Sequence, residues 1–251
     1  TGSELSYFGH DQWKKFSPGL KNIEDATFIR GKILKAFEKA ERINNTQAIK
    51  KLLKFVIVGG GPTGVEMAGA IAELSKKVLS KEFATIDTKA AHIILLEAGS
   101  NVLPAASRSL SIYTKDSLEK LGVEIKCNTI VQDISESLVK TNTETIEAET
   151  IIWCAGVKAS PLGTFINTKT DEIGRIFVND DLSIPSHHNI FAIGDLSHVK
   201  DKLGKPLPGL APVAKQQGKF VANTIKNKIN NVKAQSKFYY KNRGYLATIG
   251  R

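Results

Sequence analysis

The chain has 251 residues, 41% hydrophobic and 24% charged, a composition that indicates a folded protein and excludes a disordered one. Its net charge of +10 favours anionic partners such as phosphates or an acidic membrane surface, although scattered lysines argue against a nucleic-acid groove. No apolar run reaches the roughly 20 residues that span a bilayer, and two distant cysteines provide neither a disulfide framework nor a C-x-x-C pair.

The amino-terminal part predicts an irregular segment followed by a helix. Residues 1–18 carry no regular hydrophobic pattern. Through residues 22–42 apolar side chains recur at helical spacing, and Asn22 is suited to cap the amino end of this helix. Residues 50–54 then lead into residues 55–58, an apolar run that is typical of a buried parallel strand.

The most informative pattern follows that strand, where Gly59, Gly61 and Gly64 have the spacing G-x-G-x-x-G and precede a helical sequence. Gly59 allows a tight turn, Gly61 lets the backbone approach a pyrophosphate, and Gly64 lets the helix pack closely on the strand. The amino end of the helix, at Pro62 and Thr63, offers free N–H groups to the phosphates. The segment therefore predicts a dinucleotide site, with an ordinary glycine-rich turn as the alternative.

A predicted amphipathic helix, residues 65–79, follows the glycines, and residues 92–96 predict a second buried strand. Glu97 stands at the carboxyl end of that strand, 97 − 64 = 33 residues after Gly64, and a longer helix with a connecting loop accounts for the distance. An acidic residue at this place accepts hydrogen bonds from the adenosine ribose hydroxyls and repels a 2′-phosphate. Glu97 therefore predicts NADH rather than NADPH as the ligand, with a solvated strand-end Glu as the alternative.

The pattern up to residue 157 completes one nucleotide-binding domain, which we place at residues 53–157. It predicts a helix at residues 107–121 and a strand at 123–127. An antiparallel pair with one solvent-exposed face follows at 130–140 and 145–150, and a buried strand at 151–154. Ala155 and Gly156 interrupt the last apolar run, as expected where a buried strand ends against a ligand.

Beyond residue 157 the pattern is more ragged. It predicts short strands at 175–178 and 189–193, a long helix at 210–229, and an aromatic hairpin at 238–250 that turns at Asn242-Arg243-Gly244. The flanking regions, residues 1–52 and 158–251, are each too small to form a core alone. We therefore interpret them as two parts of a second domain that the first domain interrupts.

Over essentially its whole length the chain resembles the type II NADH dehydrogenases, which are single-chain, FAD-containing NADH:quinone oxidoreductases. Besides the glycine-rich turn, the resemblance rests on residues 1–3, 6–10, 153–157 and 190–195. It implies an α/β fold in which a Rossmann-like NADH-binding domain is inserted in a second, incomplete Rossmann-like FAD-binding domain. It also implies a fragment, because the family's amino-terminal FAD-binding motif and carboxyl-terminal membrane-attachment segment have no counterpart in this sequence.

The resemblance implies a flavin site in the second domain. Gly194 and Asp195 match the family's second flavin motif, in which the Asp hydrogen-bonds the ribityl chain of FAD. A buried strand that delivers one carboxylate to a turn suits this contact, because a carboxylate accepts hydrogen bonds from hydroxyls. Thr1 and Gly2 match the segment that leaves the family's FAD domain, and the resemblance places them at FAD as well.

The resemblance further implies residues that take part in the reaction. Gln216 and Gln217 match the paired glutamines that face the quinone, and an amide can both donate to and accept from a quinone carbonyl. A solvated helix face is the alternative. Glu66 matches a family Glu near the flavin and the nicotinamide, where it could relay a proton, and stabilisation of the helix amino end is its structural alternative.

The implied activity is hydride transfer from NADH to FAD, followed by two-electron reduction of a membrane quinone without proton pumping, and it needs no metal. The implied enzyme lies on the cytoplasmic side of a bacterial inner membrane and attaches to the membrane surface through regions absent from this chain. A homodimer stays open, and no nucleic-acid partner is expected. Two alternatives remain: another NADH-dependent flavin reductase with a protein acceptor of the ferredoxin or rubredoxin type, and an isolated NADH-binding module.

Overall fold

The computed structural model describes residues 2–185, 187–232, 235–244 and 246–250, and its contacts divide the chain into two compact units. The larger unit comprises Leu5–Gly156 and Tyr245–Arg251. The smaller unit comprises Thr1–Glu4 and Val157–Gly244.

The helices and strands follow one another along the chain, with each label numbered in chain order. The helices are α1 (Ile23–Glu41), α2 (Thr46–Leu52), α3 (Pro62–Glu73), α4 (Arg108–Lys120), α5 (Leu162–Phe165) and α6 (Ala211–Ile229). The strands are β1 (Ser3–Leu5), β2 (Lys54–Val58), β3 (His92–Leu96), β4 (Val123–Lys126), β5 (Val131–Ser135), β6 (Leu138–Thr141), β7 (Thr145–Glu147), β8 (Thr150–Trp153), β9 (Val157–Ala159), β10 (Ile176–Phe177), β11 (Ser183–Ile184), β12 (His187–Phe191) and β13 (Ser197–His198).

A four-stranded parallel sheet forms the centre of the larger unit, with the strand order β4-β3-β2-β8. Side chains alternate across β2: Phe55 and Ile57 face a cluster that includes α1 and α3. Val56 and Val58 face a second cluster on the other side, which includes residues of the antiparallel sheet β5-β6-β7. Because both faces of the sheet are covered, the sequences of β2 and β3 are mostly apolar. The two predicted buried strands are therefore confirmed.

Helix α1 packs within the larger unit. Asn22 caps it by accepting a 2.7 Å hydrogen bond from the Asp25 backbone N–H, as the sequence predicts. The buried ring of Phe37 lies 5.6 Å from that of Phe55 on β2. Residues 5–52 belong to the same compact unit as the parallel sheet, whereas the sequence pattern predicted residues 1–52 as part of the second domain.

Helix α3 is shorter than the predicted helix 65–79. It ends at Glu73 and passes into a π-helical turn, Leu74–Val78, and a 3-10 turn, Leu79–Lys81. The buried Thr88 hydroxyl donates a 2.8 Å hydrogen bond to the Ser75 backbone oxygen inside this turn. A side chain that binds to the helical backbone in this way is a recognised cause of such irregularities.

The smaller unit contains short paired strands and the long helix α6. Strand β1 pairs with β9, β10 pairs with β13 in parallel, and β11 pairs with β12 in an antiparallel manner. The predicted hairpin over residues 238–250 is wrong for the described residues, which form no strands. Among the described residues, no helix combines the length and the hydropathy needed to cross a bilayer.

Candidate functional site

The turn between β2 and α3 lies at the carboxyl edge of the parallel sheet. Gly59 follows β2 with a φ of +108°, which is a left-handed conformation that favours glycine. A Cβ atom on Gly59 would lie 2.7 Å from the Cα of Ala155, so the turn is in close contact with the chain that leaves β8. The Cys154 backbone N–H also donates a 2.7 Å hydrogen bond to the Val58 oxygen.

The other two glycines of the turn have different surroundings. A Cβ on Gly64 would overlap the Gly59 backbone oxygen, so helix and strand approach more closely than any side chain allows. A Cβ on Gly61 would meet no heavy atom of the described chain within 4 Å, and no described side chain caps α3 at this residue. The first-turn N–H groups of α3, beginning after Pro62 at Thr63, carry the positive end of the helix dipole next to the open space at Gly61. This geometry fits a diphosphate.

Glu97 fixes the glycine-rich turn. Its Oε2 accepts a 2.6 Å hydrogen bond from the Gly60 N–H, and its Oε1 accepts a 2.7 Å bond from the Gly99 N–H. Each carboxylate oxygen retains a further lone pair, so these contacts leave acceptors for ribose hydroxyls. The bond to Gly60 could not be predicted from the sequence, because no local pattern relates residues 37 positions apart.

Phe8 lies at the end of β8. Gly156 has a φ of +77°, and a Cβ on it would overlap the ring of Phe8. The Ser6 N–H donates a 3.2 Å hydrogen bond to the Gly156 oxygen, which joins the two chain segments. Phe8 could not be predicted as a site residue, because an isolated aromatic residue in an irregular segment gives no periodic signal.

Glu66 stands in the first two turns of α3 and is exposed. Its Oε1 accepts a 3.1 Å hydrogen bond from the Thr248 N–H. Ala247 and Ile249 pack against the apolar cluster that contains α3. A Cβ on Gly69 would lie 2.9 Å from the Gly250 nitrogen. Residues 246–250 therefore lie along α3, and Glu66 binds their backbone.

A cavity of about 50 Å³ lies within the smaller unit and contains the predicted flavin residues Gly194 and Asp195. The Ser3 hydroxyl donates a 2.6 Å hydrogen bond to Asp195 Oδ2, and Gly194 has a φ of +66°. Gly209 leaves room beside the carboxylate, because a Cβ there would lie 3.1 Å from Asp195 Oδ1. Gly2 accepts a 2.9 Å hydrogen bond from the Ser160 N–H, whereas Thr1 lies outside the described residues.

The two predicted quinone contacts on α6 have different environments. Gln217 is 1% exposed; its Oε1 accepts a 2.6 Å hydrogen bond from the Gly194 N–H, and its Nε2 donates to the Ser197 hydroxyl. Gln216 is half-buried and binds the Lys241 backbone twice, accepting from its N–H at 3.0 Å and donating to its oxygen at 2.9 Å. Successive residues point about 100° apart on a helix, which separates the two amides.

A charged cluster beside the cavity was not predicted. Asp171 Oδ2 accepts a 2.7 Å hydrogen bond from Arg175 Nε and lies 2.8 Å from His198 Nδ1. Burial alone would raise the pKa of Asp171, but hydrogen bonds from His198 and Arg175 outweigh it and hold that pKa below its usual value. Arg175 also lines the cavity that contains Asp195.

The two cysteines are unsuited to thiol chemistry. Cys127 and Cys154 are both free, and they lie 154 − 127 = 27 residues apart. Burial raises the pKa of Cys154 to about 12 and also raises that of Cys127. Because the thiolate is the nucleophilic form, neither residue is activated.

Comparisons with known proteins find relatives along the whole chain. The model of the pyridine nucleotide-disulphide oxidoreductase family matches residues 13–218. The type II NADH:quinone oxidoreductase Ndh of Mycobacterium tuberculosis is 42% identical over 262 residues, which cover 100% of this chain and 56% of the relative. A type II NADH:quinone oxidoreductase of Staphylococcus haemolyticus is 34% identical over 256 residues, covering 99% and 62%. The chain thus spans somewhat more than half the length of these curated relatives.

Solved structures show the same fold. NDH2 from Plasmodium falciparum in complex with NADH matches 100% of this chain and 67% of its own, with a TM-score of 0.87 at 22% identity. A ferredoxin reductase from Rhodopseudomonas palustris matches 96% of this chain and 52% of its own, with a TM-score of 0.70 at 16% identity. These likenesses confirm the predicted fold class, a parallel-sheet α/β architecture of the two-dinucleotide-binding flavoproteins.

Proposed function

Because the chain belongs to the pyridine nucleotide-disulphide oxidoreductase family, we propose that it forms the NADH-binding region and part of the FAD-binding region of a type II NADH:quinone oxidoreductase. The complete enzyme would oxidise NADH and reduce a membrane quinone without pumping protons. One observation carries the proposal: the glycine-rich turn opens towards free space at the amino end of α3, beside the carboxylate of Glu97.

The proposed NADH site lies in the larger unit. The diphosphate would rest on the first-turn N–H groups of α3, where Pro62 and Thr63 begin the helix and Gly61 leaves space. Gly59 and Gly64 support this contact indirectly, because they allow the turn to form and the helix to approach. Glu97 would accept hydrogen bonds from the adenosine ribose and would repel a 2′-phosphate. Ala155 and Gly156 would border the nicotinamide half.

The proposed FAD contacts lie in the smaller unit. Asp195 would accept hydrogen bonds from hydroxyls of the ribityl chain, and Gly194, Thr1 and Gly2 are the other proposed FAD-binding residues. The cavity lining fits such a ligand, because Ser3 and Asp195 provide hydroxyl and carboxylate groups next to glycines that leave room. When bound, FAD supplies the hydride acceptor and passes two electrons to the next acceptor.

Gln216 and Gln217 remain the proposed quinone contacts, and Glu66 the proposed acid-base residue. Gln217 lines the cavity of Asp195 while it holds the Gly194 N–H, so its amide can position the turn that carries the flavin residue. Gln216 is the more accessible amide, since it is half-buried on α6. Glu66 is exposed at the start of α3, where it can exchange a proton with solvent.

The proposed enzyme is peripheral to the membrane, on the cytoplasmic side of a bacterial inner membrane, and a homodimer belongs to the same proposal. The net charge of +10 supports an anionic surface as its location. A protein acceptor of the ferredoxin type is the rival. Activity of the full-length enzyme with a water-soluble quinone, set against its activity with an oxidised ferredoxin or rubredoxin as the electron acceptor, distinguishes the two.

The direct test of the nucleotide site is titration of this chain with NADH and with NADPH. We expect saturable binding of NADH that is tighter than binding of NADPH. Adding FAD and then NADH under anaerobic conditions should bleach the flavin absorbance in the full-length enzyme. Absence of saturable NADH binding would refute the proposal.

A further inference from the structure

Phe8 is an exposed aromatic residue in a strained backbone conformation. Its φ is 51°, in the left-handed region, which is rare for a bulky side chain. Such a conformation is strained and persists only where the surroundings fix it. The ring nevertheless remains 65% exposed, so the burial of apolar surface does not account for this conformation.

Neighbouring residues hold the Phe8 ring at the end of β8. Its N–H donates a 3.3 Å hydrogen bond to the Ser6 hydroxyl, and the Ser6 N–H binds the Gly156 oxygen. The Trp153 indole donates a 2.8 Å bond to the Ser6 oxygen, and its ring lies 6.2 Å from that of Phe8 in an edge-on arrangement. Gly156 has no side chain, so the Phe8 ring rests directly on its backbone.

The strand order determines which half of a dinucleotide passes this ring. The diphosphate site is at the end of β2, and the ribose-binding carboxylate of Glu97 is at the end of β3, on one side of β2. Strand β8 is the neighbour of β2 on the other side. Because the two halves of a dinucleotide extend in opposite directions from the diphosphate, the second half must cross the end of β8. Ala155, Gly156 and Phe8 lie there.

We infer that Phe8 is a nicotinamide-binding residue, which contacts the nicotinamide ring of NADH through its exposed aromatic surface. The inference rests on the proposed function and adds to it a specificity residue outside the glycine-rich turn. The phenyl ring of Phe8 and the nicotinamide ring are both planar, so they can form the offset or edge-on contacts that aromatic groups prefer. A ring that is held in place before the ligand arrives loses little side-chain freedom on binding.

The test compares two ligands, NADH and ADP-ribose, which lacks the nicotinamide ring. We expect Phe8→Ala to raise the Kd of NADH roughly threefold to tenfold, the range of one aromatic contact, and to leave the Kd of ADP-ribose unchanged. Phe8→Tyr keeps the ring and should restore NADH binding. Phe28→Ala is the matched control, because Phe28 is 62% exposed on α1 in the same unit.

The outcomes separate this inference from the proposed function. Unchanged NADH binding in Phe8→Ala, or an equal loss of both ligands, overturns the role of Phe8 while the nucleotide site stands. Failure of the unmodified chain to bind either ligand overturns both. Thermal unfolding of each variant identifies a general loss of structure, which would also weaken ADP-ribose binding.

Discussion

Glu97 accepts a 2.6 Å hydrogen bond from the backbone N–H of Gly60, 37 residues earlier in the chain. The carboxylate that is proposed to choose between nucleotides is therefore also the group that holds the phosphate-binding turn. Substitutions that remove the charge but keep an acceptor for the Gly60 N–H, or that remove both, separate these two tasks.

We expect Glu97→Gln to relax the preference for NADH over NADPH, because the amide oxygen can still accept from Gly60 while the charge that repels a 2′-phosphate is lost, together with the acceptor for the Gly99 N–H. Glu97→Ser should weaken both nucleotides roughly tenfold or more, since it also removes a charge-assisted hydrogen bond. Titration with both nucleotides measures the ratio of the two Kd values, and Glu147→Gln is the control, because Glu147 is an exposed residue on β7. An unchanged ratio in Glu97→Gln would remove the assignment of this carboxylate.

Substitution by alanine should have different effects at the two glycines near the start of α3: a loss of stability at Gly64 and a loss of NADH binding at Gly61. Gly64→Ala places a Cβ against the Gly59 oxygen and should lower the free energy of unfolding by about 1–3 kcal/mol, as overpacking does. Gly61→Ala meets open space, so stability should be unchanged while NADH binding falls. Thermal unfolding and nucleotide titration check both variants. Normal NADH binding by a folded Gly61→Ala protein would contradict the proposed diphosphate position.

The Asp171 cluster predicts a specific loss of stability in acid. Because the folded-state pKa of Asp171 lies below its ordinary value, the carboxylate stabilises the fold above the ordinary pKa. That contribution disappears as the pH falls through the folded-state pKa. We expect Asp171→Asn to lower the free energy of unfolding at pH 7 by about 1–3 kcal/mol, and to flatten its dependence on pH below roughly pH 4.

Denaturant titrations between pH 2 and 7 provide this measurement. Asp180→Asn is the control, because the Asp180 side chain is 68% exposed in its ion pair with Lys237. A pH profile of Asp171→Asn that is parallel to that of the unmodified protein would contradict the role of the cluster.

The neighbouring glutamines on α6 should have separable effects. Gln217→Ala leaves the Gly194 N–H without its side-chain acceptor and should cost about 1–3 kcal/mol of stability, with weaker FAD retention because Asp195 follows directly. Gln216→Ala releases only the Lys241 backbone in a partly exposed place, so its stability effect should be smaller. Unfolding midpoints, bound flavin and the quinone KM of the full-length enzyme measure these effects. Equal stability losses would contradict the assignment.

Local sequence patterns were sufficient for the elements whose stabilising contacts are local or repetitive. The buried strand at Phe55, the Asn22 cap and the turn glycines were all predictable, because periodicity, capping and backbone freedom are properties of short segments. The helix predicted at residues 107–121 is α4 in the structure, and Ser107 caps its amino end.

Contacts between distant residues explain what the sequence did not reveal. The hairpin predicted at Asn242-Arg243-Gly244 is wrong in the described residues, because the Gln216 side chain occupies the Lys241 backbone groups that a partner strand would use. Helix α3 ends early, where Thr88 donates to the Ser75 oxygen. The sequence gives no local sign of either interaction, nor of the contact between Asp171 and His198.

Residues 246–250 have a practical consequence for dissecting this protein. This short stretch contacts α3 through Glu66, Gly69 and two apolar side chains. It does so although the chain from Val157 to Gly244, which belongs to the smaller unit, separates it from Gly156. A fragment that stops at Gly156 would leave that side of the helix uncovered. Isolating the nucleotide-binding half therefore calls for a fused or separately added peptide that carries Leu246–Gly250.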